Sequence, residues 1–191
     1  MNYQEMLKST YAEVVSYLKE KYGEAKYNYF SNESMKSKNA KISRTKEGLV
    51  CHHIREIEIM QLSEPKIAQM YDYKYQLAEN LVYCNYIEHL ILHILIHKEN
   101  PQNSRSGINI ISMNINYLFE KGDENNGWRL DCYNVIKDDI KDYVQILKND
   151  LNRAVYDGVG STLQLSRYAT SVWGLSTISI SKKIKDLLRS I

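Results

Sequence analysis

The sequence predicts an α+β fold dominated by helices, with one small strand–strand–helix core between an N-terminal helix and a C-terminal helical region. Three observations carry that expectation. Apolar residues recur at helical spacing over most of the chain, and only two prolines and eight glycines interrupt 191 residues. Two short β-rich runs, Leu49–Ile54 and Leu81–Cys84, break the helical pattern in the middle. The second run leads directly into an apolar helical stripe at Ile87, Leu90, Ile91, Ile94 and Leu95.

Taken in order, Met6, Leu7, Tyr11, Val14, Val15 and Leu18 keep a three-to-four spacing, which predicts one amphipathic helix over 3–21, ended by Gly23. Residues 31–47 are polar and basic without a period and read as a loop or extended arm. The run after Gly48 is the first strand. Residues 55–79 form a long connection, with a helical turn or two expected between Pro65 and Tyr71. The second strand is followed by a helix from Tyr86 to His97, stopped by Asn100-Pro101. Residues 108–119 are ambiguous but favour helix, because Ile108, Ile111, Ile115 and Leu118 keep its spacing. Gly122 to Gly127 is a turn. A single long helix is expected over 131–156, broken by Gly158-Val159-Gly160, with two shorter helices beyond.

The length suits one compact core with extensions, which divide as 1–43, 44–100 and 101–191. The apolar fraction of 43% and charged fraction of 25% are those of a soluble globular protein. A net charge of +2 demands no polyanionic partner. Charge is concentrated locally, in the acid-free run Lys36, Lys38, Lys41, Arg44 and Lys46, and in Lys182, Lys183, Lys185 and Arg189. The ordinary reading of such runs is a solvated face. Three cysteines without a C-x-x-C pair speak against a disulfide framework and a thiolate zinc knuckle. With no basic, apolar leader at Met1–Glu5, a cytoplasmic protein is expected. The apolar segment Leu90–Ile96 is too short to span a bilayer, so no membrane association is expected.

All five histidines lie between residues 52 and 97. His89 and His93 are four apart, so a helix presents them on one side, where they can share a metal ion. His52 and His53 are adjacent, so a strand sends them to opposite faces. One can bind the ion while the other stays free as a base. Phosphodiester hydrolysis needs that division of labour, because a water must lose a proton while charge on the phosphate and leaving oxygen is neutralised. His97 continues the series by one turn and could replace a ligand. Its simpler role is a cation at the helix C-terminus.

Cys51-His52-His53, then Glu79-Asn80-Leu81-Val82-Tyr83-Cys84, then Glu88-His89-Leu90-Ile91-Leu92-His93 resembles the motif of the HNH (ββα-metal) endonucleases, and is most similar to its colicin-type version. The resemblance covers roughly residues 44–97. It implies a ββα-metal core in which His52, His89 and His93 are the metal ligands and His53 is the general base. Asn80 then takes the position that pins the loop between the strands. The long stretch 54–79 departs from the motif but only lengthens a loop, which costs little stability. The resemblance implies a DNA substrate, with RNA as an alternative, and one divalent ion. Three imidazoles favour zinc by softness, while magnesium, manganese or nickel can support turnover in the family.

Arg44 and Lys46 precede the first strand and are candidates to hold a phosphate. Glu56, Glu58 and Glu88 could hydrogen-bond a ligand imidazole, though each reads more simply as a solvated acid. Cys51 and Cys84 sit on strands and read as core residues. Residues 163–189 contain Ala169, Trp173-Gly174-Leu175 and Ile180, a helix-turn-helix-like pattern that would present Lys182 and Lys183 to DNA. A plain helical pair closing the core is the simpler reading, and Lys183 at a commonly buried position favours it.

Overall fold

The computed structural model describes residues 1–103 and 106–149, together with Ile184 and Leu187. Within them the chain is the mainly helical α+β fold that the sequence predicts. Its elements are α1 (Tyr3–Met6), α2 (Tyr11–Tyr22), β1 (Val50–His53), α3 (Pro65–Ala68), β2 (Leu81–Cys84), α4 (Tyr86–Glu99), α5 (Ser106–Lys121), α6 (Trp128–Ile136) and α7 (Ile140–Asn149). Short 3-10 turns fill much of the segments before β1 and between the strands. None of the described helices is long and apolar enough to cross a membrane.

Two helices differ from expectation. The single N-terminal helix is two, because Thr10 and Glu13 form a capping box that starts α2 afresh. The long helix over 131–156 is also divided. It stops after Ile136 and restarts at Ile140, with the acids Asp138 and Asp139 in the gap. Acids are weak helix-interior residues and favour N-termini, and the Tyr3 hydroxyl donates to Asp139 Oδ2 at 2.7 Å, which ties the gap to α1. Residues 150–156 of that expected helix, the Gly158–Gly160 break, Lys182, Lys183 and the rest of the pattern at 163–189 apart from Ile184 and Leu187 lie outside the described residues.

Helix α4 is the centre of the molecule. It is apolar on nearly every side and is packed by α1, α2, α5, α6 and both strands. Asn85 starts it with a capping box, its side chain accepting from the Glu88 amide while the Glu88 carboxylate accepts from the Asn85 amide. The main apolar core draws on residues from Met6 to Leu147 and includes Ile184, so the N-terminal helices, the strands and the later helices share it.

The two strands pair antiparallel, with His52 opposite Val82 and His53 opposite Leu81. Side-chain alternation divides this hairpin between two cores. Val82 and Cys84 face the helical core. Leu81 and Tyr83 face a smaller cluster built from Tyr29, Phe30, Met35, Ile42, Leu49 and Ala68. The register therefore sends His52 toward α4 and His53 toward the smaller cluster.

Candidate metal centre

His52 from β1 and His89 and His93 from α4 converge. A nitrogen from each lies within 4.8 Å of the other two, and the ring centroids are 5.0 to 5.1 Å apart. These residues can hold a metal ion. His97, one turn further along α4, lies outside this group.

The tautomer of His52 follows from its neighbours. The Tyr11 hydroxyl, carried by α2, donates its proton to the Ile54 carbonyl at 2.8 Å. The same oxygen lies 2.9 Å from His52 Nε2, so it must accept there, and Nε2 carries the imidazole proton. Nδ1 is left with its lone pair, buried and without a hydrogen-bond partner, as is His89 Nδ1. An unsatisfied buried polar atom costs about 1–3 kcal/mol. Two of them in one cluster fit a cation, which neutral imidazoles bind through their lone pairs. Burial holds His52, His89 and His93 well below the ordinary histidine range, His93 at about 4, so all three are neutral at pH 7.

Two further groups enter the cluster from segments whose role the sequence does not announce. Glu56 lies in the 3-10 turn after β1 and is buried, contrary to a solvated acid. Its Oε2 is 3.4 Å from His93 Nε2 and 3.9 Å from His52 Nδ1. Burial raises its carboxyl to about 8, against the opposing hydrogen bond from the Leu62 backbone. Gly107, in the first turn of α5, lies flush against His93, and a Cβ there would fall 2.3 Å from Nδ1. Glu88 is also buried, but it caps α4 and pairs with Lys21 at 2.7 Å, whereas Glu58 is exposed and pairs with Arg55.

His53 turns the other way. Its ring packs on Tyr29 at 4.3 Å between centroids, and its Nε2 lies 2.8 Å from Gln76 Oε1. The Gln76 amide nitrogen donates to the Leu62 carbonyl, so its oxygen faces His53 and Nε2 is again the protonated nitrogen. Burial lowers His53 to about 4. Asn80 supports this arrangement at one remove. Its amide donates to the Lys74 carbonyl at 2.8 Å, in the turn Tyr73–Gln76 that carries Gln76.

His52, His53, His89 and His93 border one cavity of about 420 Å³ at the end of β1. Its remaining wall comes from Met60 to Ile67 of the inter-strand segment and from the start of α5. The segment 54–79 is therefore more than a lengthened loop, because it supplies Glu56, Gln76 and much of the cavity wall. Lys66 lines the cavity and is exposed. Arg44 and Lys46 do not line it. Arg44 is held by Glu47, donates to the Tyr22 carbonyl and lies over the Tyr83 ring. Lys46 is exposed in the turn before β1. Cys84 is buried as expected, whereas Cys51 is half-buried on the cavity wall.

Comparison of the chain with protein-family models, curated proteins and solved structures returns no match.

Proposed function

We propose that the protein is a metal-dependent endonuclease that hydrolyses phosphodiester bonds of DNA, with RNA as the alternative substrate. The observation that carries this reading is the convergence of three neutral imidazoles from a strand and a helix, with a fourth histidine next to one of them. The order strand, strand, helix and the spacing of the ligands agree with the HNH resemblance.

His52, His89 and His93 would hold the ion. A bound divalent ion supplies charge stabilisation to the phosphate and the leaving oxygen. The other roles belong to side chains. His53, with Nε2–H donated to Gln76, keeps Nδ1 as the basic nitrogen that takes the proton from water. It is neutral at pH 7, and an anionic phosphate beside it raises its basicity. Asn80 positions the turn that carries Gln76. Lys66 is the cation placed to meet a phosphate at the cavity, with Lys46, Lys182 and Lys183 as candidates for flanking phosphates. Zinc suits the imidazole set by softness, with magnesium, manganese or nickel able to support turnover.

Plasmid cleavage by the purified chain, with EDTA or with zinc, magnesium, manganese or nickel, tests the reading beside His53→Ala and His89→Ala. Ion-dependent cleavage should be lost in both variants, while bound ion is lost only in His89→Ala. A second reading, a non-catalytic protein stabilised by a structural metal site, draws on the burial of His53 at 1% exposure against Tyr29. Absence of cleavage with every ion, with one ion still tightly held, would favour it.

A further inference from the structure

We propose that Glu56 is the fourth protein ligand of this centre, supplied by the segment between the two strands. The inference rests on the metal-binding reading of the histidine cluster and adds a residue that the HNH resemblance does not provide. Four nitrogen or oxygen ligands about 2.1 Å from one ion stand roughly 3.4 Å from each other in a tetrahedral site. Glu56 Oε2 is 3.4 Å from His93 Nε2 and 3.9 Å from His52 Nδ1, which is the spacing of neighbouring ligands. It is too long for a good charge-assisted hydrogen bond.

Charge points the same way. Glu56 is 6% exposed. Among the described residues, the side chains within ion-pair distance of it are the neutral His52 and His93, and no lysine or arginine pairs with it. A buried carboxylate without a cation is costly. A divalent ion between Glu56 and the imidazoles would neutralise the carboxylate, which also accepts from the Leu62 backbone, and take up the lone pair of the orphaned His52 Nδ1. The local fold brings Glu56 to this point, because the 3-10 turn Ile54–Ile57 follows β1 directly and carries it four residues after His52. With four protein ligands, a four-coordinate zinc site is closed. An ion that accepts six ligands keeps two positions for a phosphate oxygen and a water.

The test uses the full chain stripped of metal and titrated with zinc against a chromophoric chelator, and separately with cobalt(II), whose visible spectrum reports its ligands. Wild type should bind one ion. Glu56→Gln should weaken zinc binding by more than about 100-fold, beyond the 10–100-fold loss that an outer hydrogen-bond partner produces, and should change the cobalt spectrum. Wild-type affinity or an unchanged cobalt spectrum in Glu56→Gln would overturn the assignment and leave the histidine site standing. Failure of wild type to bind either ion would overturn both. Should the variant not fold, a crystal structure of zinc-loaded wild type decides, with Glu56 Oε2 expected within about 2.2 Å of the ion and a longer separation refuting the ligand.

Discussion

His53 Nε2 and Gln76 Oε1 stand 2.8 Å apart, so the histidine that turns away from the imidazole cluster is held by a side chain from the segment between the strands. Replacing Gln76 with methionine leaves a buried imidazole N–H without an acceptor. The expected cost is about 1–3 kcal/mol in urea unfolding. Zinc affinity should stay within about twofold of wild type, because none of the three clustered histidines is touched, while under the proposed function the cleavage rate should fall roughly tenfold as His53 loses its fixed tautomer. Zinc titration and cleavage kinetics on one preparation check both halves.

Tyr11 reaches the centre from α2 and fixes the His52 tautomer through its hydroxyl. Tyr11→Phe keeps the ring in the core but lets His52 carry its proton on either nitrogen. Zinc affinity should drop about 10–100-fold without loss of the one-ion stoichiometry. Unchanged affinity would mean that Tyr11 serves packing alone.

Gly107 has no room for a side chain, since a Cβ would fall 2.3 Å from His93 Nδ1. Gly107→Ala must push His93 or α5 aside, although alanine is the better helix former. Overpacking of this kind costs about 1–3 kcal/mol. A lower melting temperature of the metal-free protein, together with weaker zinc binding, is the expected pair of results. A variant with raised stability and normal zinc affinity would show that α5 can yield there.

The metal-free protein should lose stability in acid between pH 6.5 and 4. His53 and His93 have folded values of about 4 through burial, below the ordinary 6.5. In that window the unfolded chain takes up protons that the folded chain refuses, so unfolding gains as pH falls. One such group is worth about 3 kcal/mol across the full window. Glu56 works in the other direction, because its value is raised to about 8 and its share of stability is lost as pH rises from about 4.5 toward 8. Urea unfolding in EDTA should therefore show a steep acid limb. Glu56→Gln should flatten the fall above pH 6.5 and steepen the acid limb between 4.5 and 6.5, where the two effects oppose each other.

The strands, the central helix and the three histidines that can hold a metal ion are legible in the sequence because each is a local pattern. His89 and His93 need only one turn of helix, and His52 needs only the alternation of a strand. The breaks after α1 and α6 are local as well. Thr10 and Glu13 stand at capping-box spacing, and Asp138-Asp139 marks a restart, but in both places the apolar stripe runs through the gap and conceals it. Arg44 reads as a free cation until Glu47, three residues on, is seen to hold it. Tyr11, Glu56, Gln76 and Gly107 carry no such signal. Tyr11 comes from a helix 41 residues before His52, and Gly107 meets His93 only because α5 packs along α4. Their approach is set by the path of the backbone, which no spacing rule encodes.

An ion held by His52 and by His89 and His93 would be a cross-link as well as a site. The sheet consists of two four-residue strands, a size that is marginal without support from elsewhere. Joining β1 to α4 through such a link closes the chain from residue 52 to residue 89 in one loop. On the scale used for disulfides, that closure removes about 4 kcal/mol of freedom from the unfolded ensemble. The segment 54–79 lies inside the loop, so its resistance to proteolysis should rise with ion loading and collapse on chelation, while cuts near α7 should respond far less. The cavity wall and the cross-link would then form and come apart as one cooperative unit.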